Sequence, residues 1–277
     1  NWIRTLSGDY ASLEIDPSDP DHLLAAEFGN DIAESHDAGA TWTVNSLDGA
    51  SFGISRITLA FAPSAPDTVY AVAGKNNDQG FAGFWRSTDG GSNWTARMLA
   101  GEGPNLLGWT VDGGDSGGQA WYDLALAVHP EDPNLVHVGG VNLWATEDGG
   151  TQWQCAAHWY AGGDLPYLHA DQHGLKYLED GRMLVANDGG AFLFDPALST
   201  AADKSAGLAI TQAYRLDLDP QAIDRFLVGT QDNGTFMKHE GAWEHVLGGD
   251  GFQCAFHGAL SEVVYASLYY GQVFRSD

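Results

Sequence analysis

Three stretches of the chain repeat one pattern: Ser35-His-Asp-Ala-Gly-Ala-Thr-Trp42, Ser87-Thr-Asp-Gly-Gly-Ser-Asn-Trp94 and Thr146-Glu-Asp-Gly-Gly-Thr-Gln-Trp153. Each fits Ser/Thr-x-Asp-x-Gly-x-x-Trp, and Asp37, Asp89 and Asp148 are 52 and 59 residues apart. That period predicts one four-stranded sheet per repeat, the blade of a β-propeller. The pattern has a physical logic. Asp hydrogen-bonds its own downstream backbone, glycine takes positive φ without steric cost, and Trp fills the gap between neighbouring sheets. The repeat is read as a hairpin staple, because a turn-forming carboxylate has its lone pairs occupied.

A second repeat runs in phase with the first. Leu13-Glu-Ile-Asp-Pro17, Leu59-Ala-Phe-Ala-Pro63, Leu126-Ala-Val-His-Pro130 and Leu216-Asp-Leu-Asp-Pro220 are each followed by a second apolar run, at Asp21–Ala25, Asp67–Ala71, Asn134–Val138 and Asp224–Val228. Short apolar runs bounded by Pro, Gly, Asp and Asn read as buried strands. Weaker copies at Leu175–Phe194 and Phe252–Phe274 bring the innermost strands to six. The ends complete the pattern, since Asn1-Trp2 reads like the close of a repeat and Arg275-Ser276-Asp277 like the opening of one. The expected architecture is a single all-β domain over 1–277, a propeller of six four-stranded blades whose N-terminal strand closes the last. Closure would remove exposed sheet edges; the alternative is a piece of a larger propeller. Asp195 to Gly207 reads as a mobile loop, and Gly101 to Gly118 as the longest glycine-rich insertion.

Charge narrows the partners. With 37 acidic against 12 basic residues the formal net charge is −25, whereas nucleic acid and anionic membranes need Lys/Arg clusters to replace counterions. No apolar run approaches the ~20 residues of a membrane span, so membrane insertion is not expected. Neutral or cationic partners and a divalent cation stay open, and the acidity suits a secreted or extracellular protein. Cys155 and Cys254 fall in different blades and support no disulfide framework.

In a propeller the Trp repeats occupy the turn between third and fourth strands. The opposite rim is then built by Gln119–Asp123, Tyr167–His173, Asn187–Gly190, Gln231–Gly234, Gly248–Gly251 and Leu268–Gly271, and such rims carry binding sites. The candidate ligand-binding residues are Trp121, Tyr122, Asp123, Asp188, Gln231, Asp232, Asn233, Tyr269 and Tyr270, the aromatics offering a stacking platform for sugar rings. His169, Asp171 and His173 alternate, so on a strand they would face one side as a metal set. A polar channel lining is the competing reading, because one strand supplying every ligand is cramped.

Several segments together resemble a known group: Gly118-Gln-Ala-Trp-Tyr-Asp-Leu-Ala, Val138-Gly-Gly-Val-Asn-Leu-Trp, His169-Ala-Asp-Gln-His, Asn187-Asp-Gly-Gly, Gly229-Thr-Gln-Asp-Asn-Gly and Gly248-Gly-Asp-Gly. With the Trp repeats, they are similar to secreted bacterial BNR (Asp-box) propellers of the glycosyl hydrolase-like type. More distantly they resemble sortilin-type propellers and xyloglucan-active tandem-propeller glycosidases. The resemblance covers most of the chain from Trp121 onward. It implies the fold and secretion; an activity must stand on residues, since a repeat motif is not a catalytic one.

Glycoside hydrolysis needs two carboxyl groups, one of them protonated. Asp171 and Asp250 are the leading pair, with Asp123, Asp188 and Asp232 in reserve and His169 tuning or replacing the acid. Sialidase chemistry is marked down, because arginine is scarce and Ser55-Arg-Ile-Thr58 only faintly echoes that family's first strand. The expected function is binding of a glycan or peptide at the rim, where an acidic mouth would also suit a basic peptide or calcium. The alternative is a glycoside hydrolase.

Overall fold

The apolar runs fold into short strands because branched and aromatic side chains fit a pleated, half-buried surface, while Pro, Gly and Asp end each run. The computed structural model describes residues 3–47, 49, 53–222, 224–260 and 262–276, in which the chain is all β and built as successive antiparallel propeller blades. It divides into two compact units, Asn1–Ser205 and Ala206–Asp277.

The first unit contains four blades. Blade one is β1 (Tyr10–Ile15), β2 (Leu23–Glu27), β3 (Asp31–Ser35) and β4 (Thr43–Ser46); blade two is β5 (Ile54–Phe61), β6 (Val69–Lys75), β7 (Phe81–Ser87) and β8 (Thr95–Leu99). Blade three is β9 (Ala125–Val128), β10 (Val136–Gly139), β11 (Leu143–Thr146) and β12 (Gln154–Ala157); blade four is β13 (Gln172–Tyr177), β14 (Met183–Asn187), β15 (Gly190–Asp195) and β16 (Thr200–Asp203). First strands neighbour one another, β1 against β5, β5 against β9 and β9 against β13.

The core lies between adjacent blades. Along β6, Val69, Ala71 and Ala73 pack toward blade one while Tyr70 and Val72 pack toward blade three, the period-two alternation that buries both faces of a sheet. Trp85, Tyr70 and Phe84 are fully buried, each worth about 1.5–3 kcal/mol in apolar burial.

All three Trp repeats sit between third and fourth strands. In the second, Asp89 Oδ1 accepts from the Ser87 hydroxyl at 2.7 Å and the Asn93 N–H at 2.9 Å, and Ser87 Oγ accepts the Gly91 N–H at 2.9 Å. Gly91 has φ +107, and a Cβ there would stand 2.6 Å from Leu24 Cδ1 of blade one. At Gly150 the corresponding Cβ would meet Phe84 of blade two at 2.3 Å. The second and third repeats thus fold their turns onto the preceding blade, and Trp153 meets Phe84 edge-on at 4.9 Å.

The second unit holds β17 (Ala213–Leu218), β18 (Phe226–Thr230), β19 (Gly234–His239) and β20 (Ala242–Leu247) in one sheet. Its other sheet is β21 (Cys254–Phe256), β22 (Val264–Ser267) and β23 (Val273–Ser276), three strands among the described residues. Leu227, Cys254 and Phe256 form the core between the two sheets. Asn1, Trp2 and Asp277, on which the ring-closing expectation rests, lie outside the described residues.

One loop expectation needs correction. The 195–207 stretch contains β16, paired with β15; its side chains are mostly exposed, so this outermost strand carries no apolar signal. The Gly101–Gly118 insertion is packed, with Leu106 and Leu107 buried and Asn105 Nδ2 bridging the carbonyls of Asp115 and Gly117 at 3.2 and 2.7 Å. Among the described residues no helix is long and apolar enough to cross a membrane.

Candidate rim site of the first unit

Blade three is entered through a tight turn in which the Tyr122 and Asp123 N–H groups both donate to the Gln119 carbonyl, at 2.7 and 3.1 Å. Its neighbours fix that turn. Arg56 of β5 donates to the carbonyls of Tyr122 and Ala120 at 3.2 and 3.5 Å, and Gly74 leaves the room Ala120 needs, since a Cβ there would lie 2.1 Å from the Ala120 Cβ. The turn buries Asp123 to 1% exposure and leaves Trp121 62% exposed beside Tyr122, their rings 5.4 Å apart.

Blade four is entered through His169–His173. Asp171 adopts the left-handed conformation at φ 68, and the strand begins only at Gln172. Gln172 is fully buried; its amide donates to the His169 carbonyl at 2.6 Å and accepts from Asn187 Nδ2 at 3.2 Å, tying this loop to the β14–β15 hairpin. That hairpin carries Asp188. Gly189 follows because a Cβ there would strike the His169 ring at 2.3 Å.

These loops bring three carboxyl groups together. Gln119 Nε2 donates to Asp171 Oδ1 at 2.5 Å and to Asp123 Oδ2 at 3.3 Å, and Asp171 hydrogen-bonds Asp123 directly. Asp188 accepts the Tyr122 hydroxyl on Oδ2 at 2.7 Å, with His173 Nε2 2.7 Å from its Oδ1. Burial, then the Asp171 charge, pushes the Asp123 carboxyl up to about 8, although Gln119 opposes. Burial and the Asp188 charge push Asp171 up to about 6, against the pull of His169 and His173. The bond to Asp188 raises His173 despite burial. Two carboxyls in contact do not both ionise readily, so near neutral pH this pair holds one shared proton. That proton rests on Asp123, cut off from solvent and raised the further, so half-buried Asp171 is the ionised partner that can meet a ligand.

The first unit therefore assembles Trp121, Tyr122, Asp123, His169, Asp171, His173 and Asp188. The remaining candidates belong to the second unit. There Asp250 Oδ1 accepts the Asp232 N–H at 3.0 Å, Asn233 Nδ2 donates to the Gln231 carbonyl at 3.2 Å, and Tyr269 and Tyr270 lie edge to face at 5.5 Å, 45% and 95% exposed.

The metal set drawn from His169, Asp171 and His173 is not formed. Strand alternation fails at left-handed Asp171, the His169 ring nitrogen sits 3.3 Å from the Ala170 carbonyl, and His173 is engaged by Asp188. Among the described residues the three metal-ligating side chains whose donor atoms converge within 4.8 Å are His22, Glu34 and His36 of blade one, which sequence reading passed over. It also missed Gln119 and Arg56 as site residues. Arg56 had a signal, being a rare cation on an inner strand.

A groove of about 800 Å³ runs between blades three and four past His129, Cys155, Asp180 and Arg182, apart from the rim carboxyls. Its thiol is a poor nucleophile, since burial pushes Cys155 up to about 12.

No family model matches the chain, and no curated protein matches its sequence. Among solved structures it is similar to the GH74 enzyme of Niastella koreensis, at 16% identity and a TM-score of 0.52 over 96% of this chain and 44% of that one. The GH74 xyloglucanase from Xanthomonas campestris is similar at 16% identity and a TM-score of 0.51, over 95% of this chain and 44% of that one. The chain spans less than half the length of these enzymes. At such identity the likeness carries the propeller fold and not an activity.

Proposed function

We propose that the chain is a secreted propeller, one domain over 1–277, that binds a carbohydrate at the rim formed by Gln119–Asp123, His169–His173 and Asn187–Gly190. The observation that carries this reading is an exposed Trp121 next to Tyr122, standing over a dense set of amide, phenol and carboxyl groups. Aromatic faces take sugar rings, and such polar groups take hydroxyls. A neutral ligand fits better than a basic peptide, because the shared proton leaves this rim less negative than its carboxyl count.

Glycoside hydrolysis is a second reading, favoured by the raised carboxyl of Asp171, which suits a proton donor at mildly acid pH. Asp123 and Asp171 touch, closer than the ~5–5.5 Å of a retaining pair or the ~6.5–9.5 Å of an inverting one, so together they count as one acid. The opposing carboxylate in this reading is Asp188.

The test is a panel of plant and algal polysaccharides, assayed for retention of the protein on polysaccharide gels and for reducing-sugar release, with Asp171→Asn alongside. Retention without release supports a binding propeller, and release abolished in Asp171→Asn supports the hydrolase. A folded protein that neither binds nor cleaves any of them overturns both.

A further inference from the structure

Blade one carries a second constellation, at the end of the blade where its Trp repeat lies. The β2–β3 register pairs Leu24 with Glu34 and Leu23 with Ser35, which sets His22 across from His36. Their rings stack at 4.6 Å with an interplanar angle of 12°. Asp16, in the turn before β2, holds His22 Nδ1 at 2.9 Å through Oδ2, while its Oδ1 accepts the Ser18 N–H and hydroxyl at 2.7 Å. His22 is thereby fixed with Nε2 pointing inward. That nitrogen is buried in a side chain 6% exposed and makes no hydrogen bond. It stands 3.4 Å from Glu34 Oε1, and His36 Nε2 stands 3.1 Å from the same oxygen.

We propose that His22, Glu34 and His36 form a binding site for a Zn²⁺-class transition-metal ion, with Asp16 as the positioning residue for His22. A carboxylate on one imidazole nitrogen orients the other as a ligand, the arrangement that supports histidine ligands generally. Ligand atoms held at ~2.0–2.1 Å around a tetrahedral ion lie roughly 3.3 Å apart, close to the two separations found here. Two imidazoles with one carboxylate suit zinc and its neighbours, whereas calcium and magnesium prefer all-oxygen shells. The carboxylate is held in turn: the Ser92 hydroxyl donates to Glu34 Oε1 at 3.0 Å and Asn45 Nδ2 to Oε2 at 3.3 Å. Phe61 meets His22 edge-on at 5.6 Å, and the chain at Gly90 passes so close that a Cβ would lie 2.9 Å from His22 Cε1. With its side chain 66% exposed, His36 leaves a route in and a fourth coordination position open to water. Because Ser92 belongs to the second Trp repeat, the ion would brace the junction of blades one and two.

The test titrates the metal-stripped protein with ZnCl₂ by calorimetry in excess Ca²⁺ and Mg²⁺, which occupy nonspecific surface carboxylates. Co²⁺ replaces Zn²⁺ in a parallel visible-absorption titration. The expected result is one Zn²⁺ per chain, a melting temperature that rises with Zn²⁺, and an intense tetrahedral-type Co²⁺ band. His36→Ala, at an exposed position, and Glu34→Gln should each weaken Zn²⁺ binding at least about tenfold and abolish the Co²⁺ band, with circular dichroism confirming folded variants. Absence of Zn²⁺ binding, or equal affinity in wild type and both variants, overturns the site.

Discussion

The amide nitrogen of Gln119 lies 2.5 Å from Asp171 Oδ1, and its second contact, at 3.3 Å, is Asp123 Oδ2. One neutral donor thus serves two carboxyl groups, at the entrances of blades three and four. For Asp123 that bond is the main brake on a carboxyl raised by burial. Gln119→Leu removes the donor while keeping the bulk, so the Asp123 midpoint should move above its value of about 8. Carbon-13 NMR titration of the aspartate carboxyls reads this directly, and an unmoved midpoint would show that Gln119 does not set it.

The raised carboxyls also set how stability depends on pH. A group whose folded pKa exceeds its unfolded value stabilises the fold below the unfolded pKa, and that contribution is lost as pH climbs through the folded one. For Asp123 the loss runs from about pH 4 to about pH 8. Glu14 of β1, pushed by burial up to about 7 against Lys176, adds a loss of the same sign. Denaturant unfolding at about pH 5 and about pH 9 should therefore show wild type losing more stability than Asp123→Asn. Equal losses would mean that the fold does not hold the Asp123 proton.

How much of this was legible beforehand depends on the type of signal. The Trp repeats and the Pro-bounded apolar runs gave the blades, because both are local and periodic. The loops that carry Trp121, Asp123, Asp171 and Asp188 followed from topology alone. Alternation misled at Asp171, since a single left-handed residue cancels the period-two rule and nothing in His-Ala-Asp-Gln-His announces it. The strand at Thr200–Asp203 was hidden because an exposed outer strand has no apolar face to reveal it. His22 and His36 escaped notice since cross-strand register, rather than sequence spacing, brings them together.

Glycine positions separate two costs that are often merged. Gly91 and Gly101 both have positive φ, +107 and +89, but a Cβ at Gly91 overlaps Leu24 while one at Gly101 meets nothing within 4 Å. Gly101→Ala should cost about 1 kcal/mol through backbone strain alone. Gly91→Ala adds overpacking of about 1–3 kcal/mol, which at about 2–4 °C per kcal/mol is a clearly larger fall in melting temperature. Similar falls would mean that the second repeat does not rest tightly on blade one.

Asp148 tests the staple itself. Burial works to raise its carboxyl, yet bonds from the Thr151 hydroxyl, the Gln152 and Thr151 N–H groups and the Thr146 hydroxyl hold it well below the ordinary range. A depressed carboxyl stabilises above its unfolded pKa and loses that contribution as pH falls through the folded value. Asp148→Ala should therefore destabilise at neutral pH, by about 1–3 kcal/mol for several lost hydrogen bonds, and the deficit should shrink in strong acid, where wild type protonates too. A deficit independent of pH would assign the loss to packing rather than to the charge.

Trp121 separates binding from folding at the rim. Its side chain is 62% exposed and stacks on nothing larger than a tilted Tyr122 ring, so Trp121→Ala should change stability by no more than about 0.5 kcal/mol. If sugar rings lie on that indole, the same substitution should weaken polysaccharide retention about tenfold or more, because an aromatic anchor concentrates binding energy. Tyr122→Phe keeps the ring but removes the hydroxyl bond to Asp188, and should retain much of the affinity that Trp121→Ala loses. Undiminished retention in Trp121→Ala would move the ligand off this face of the rim.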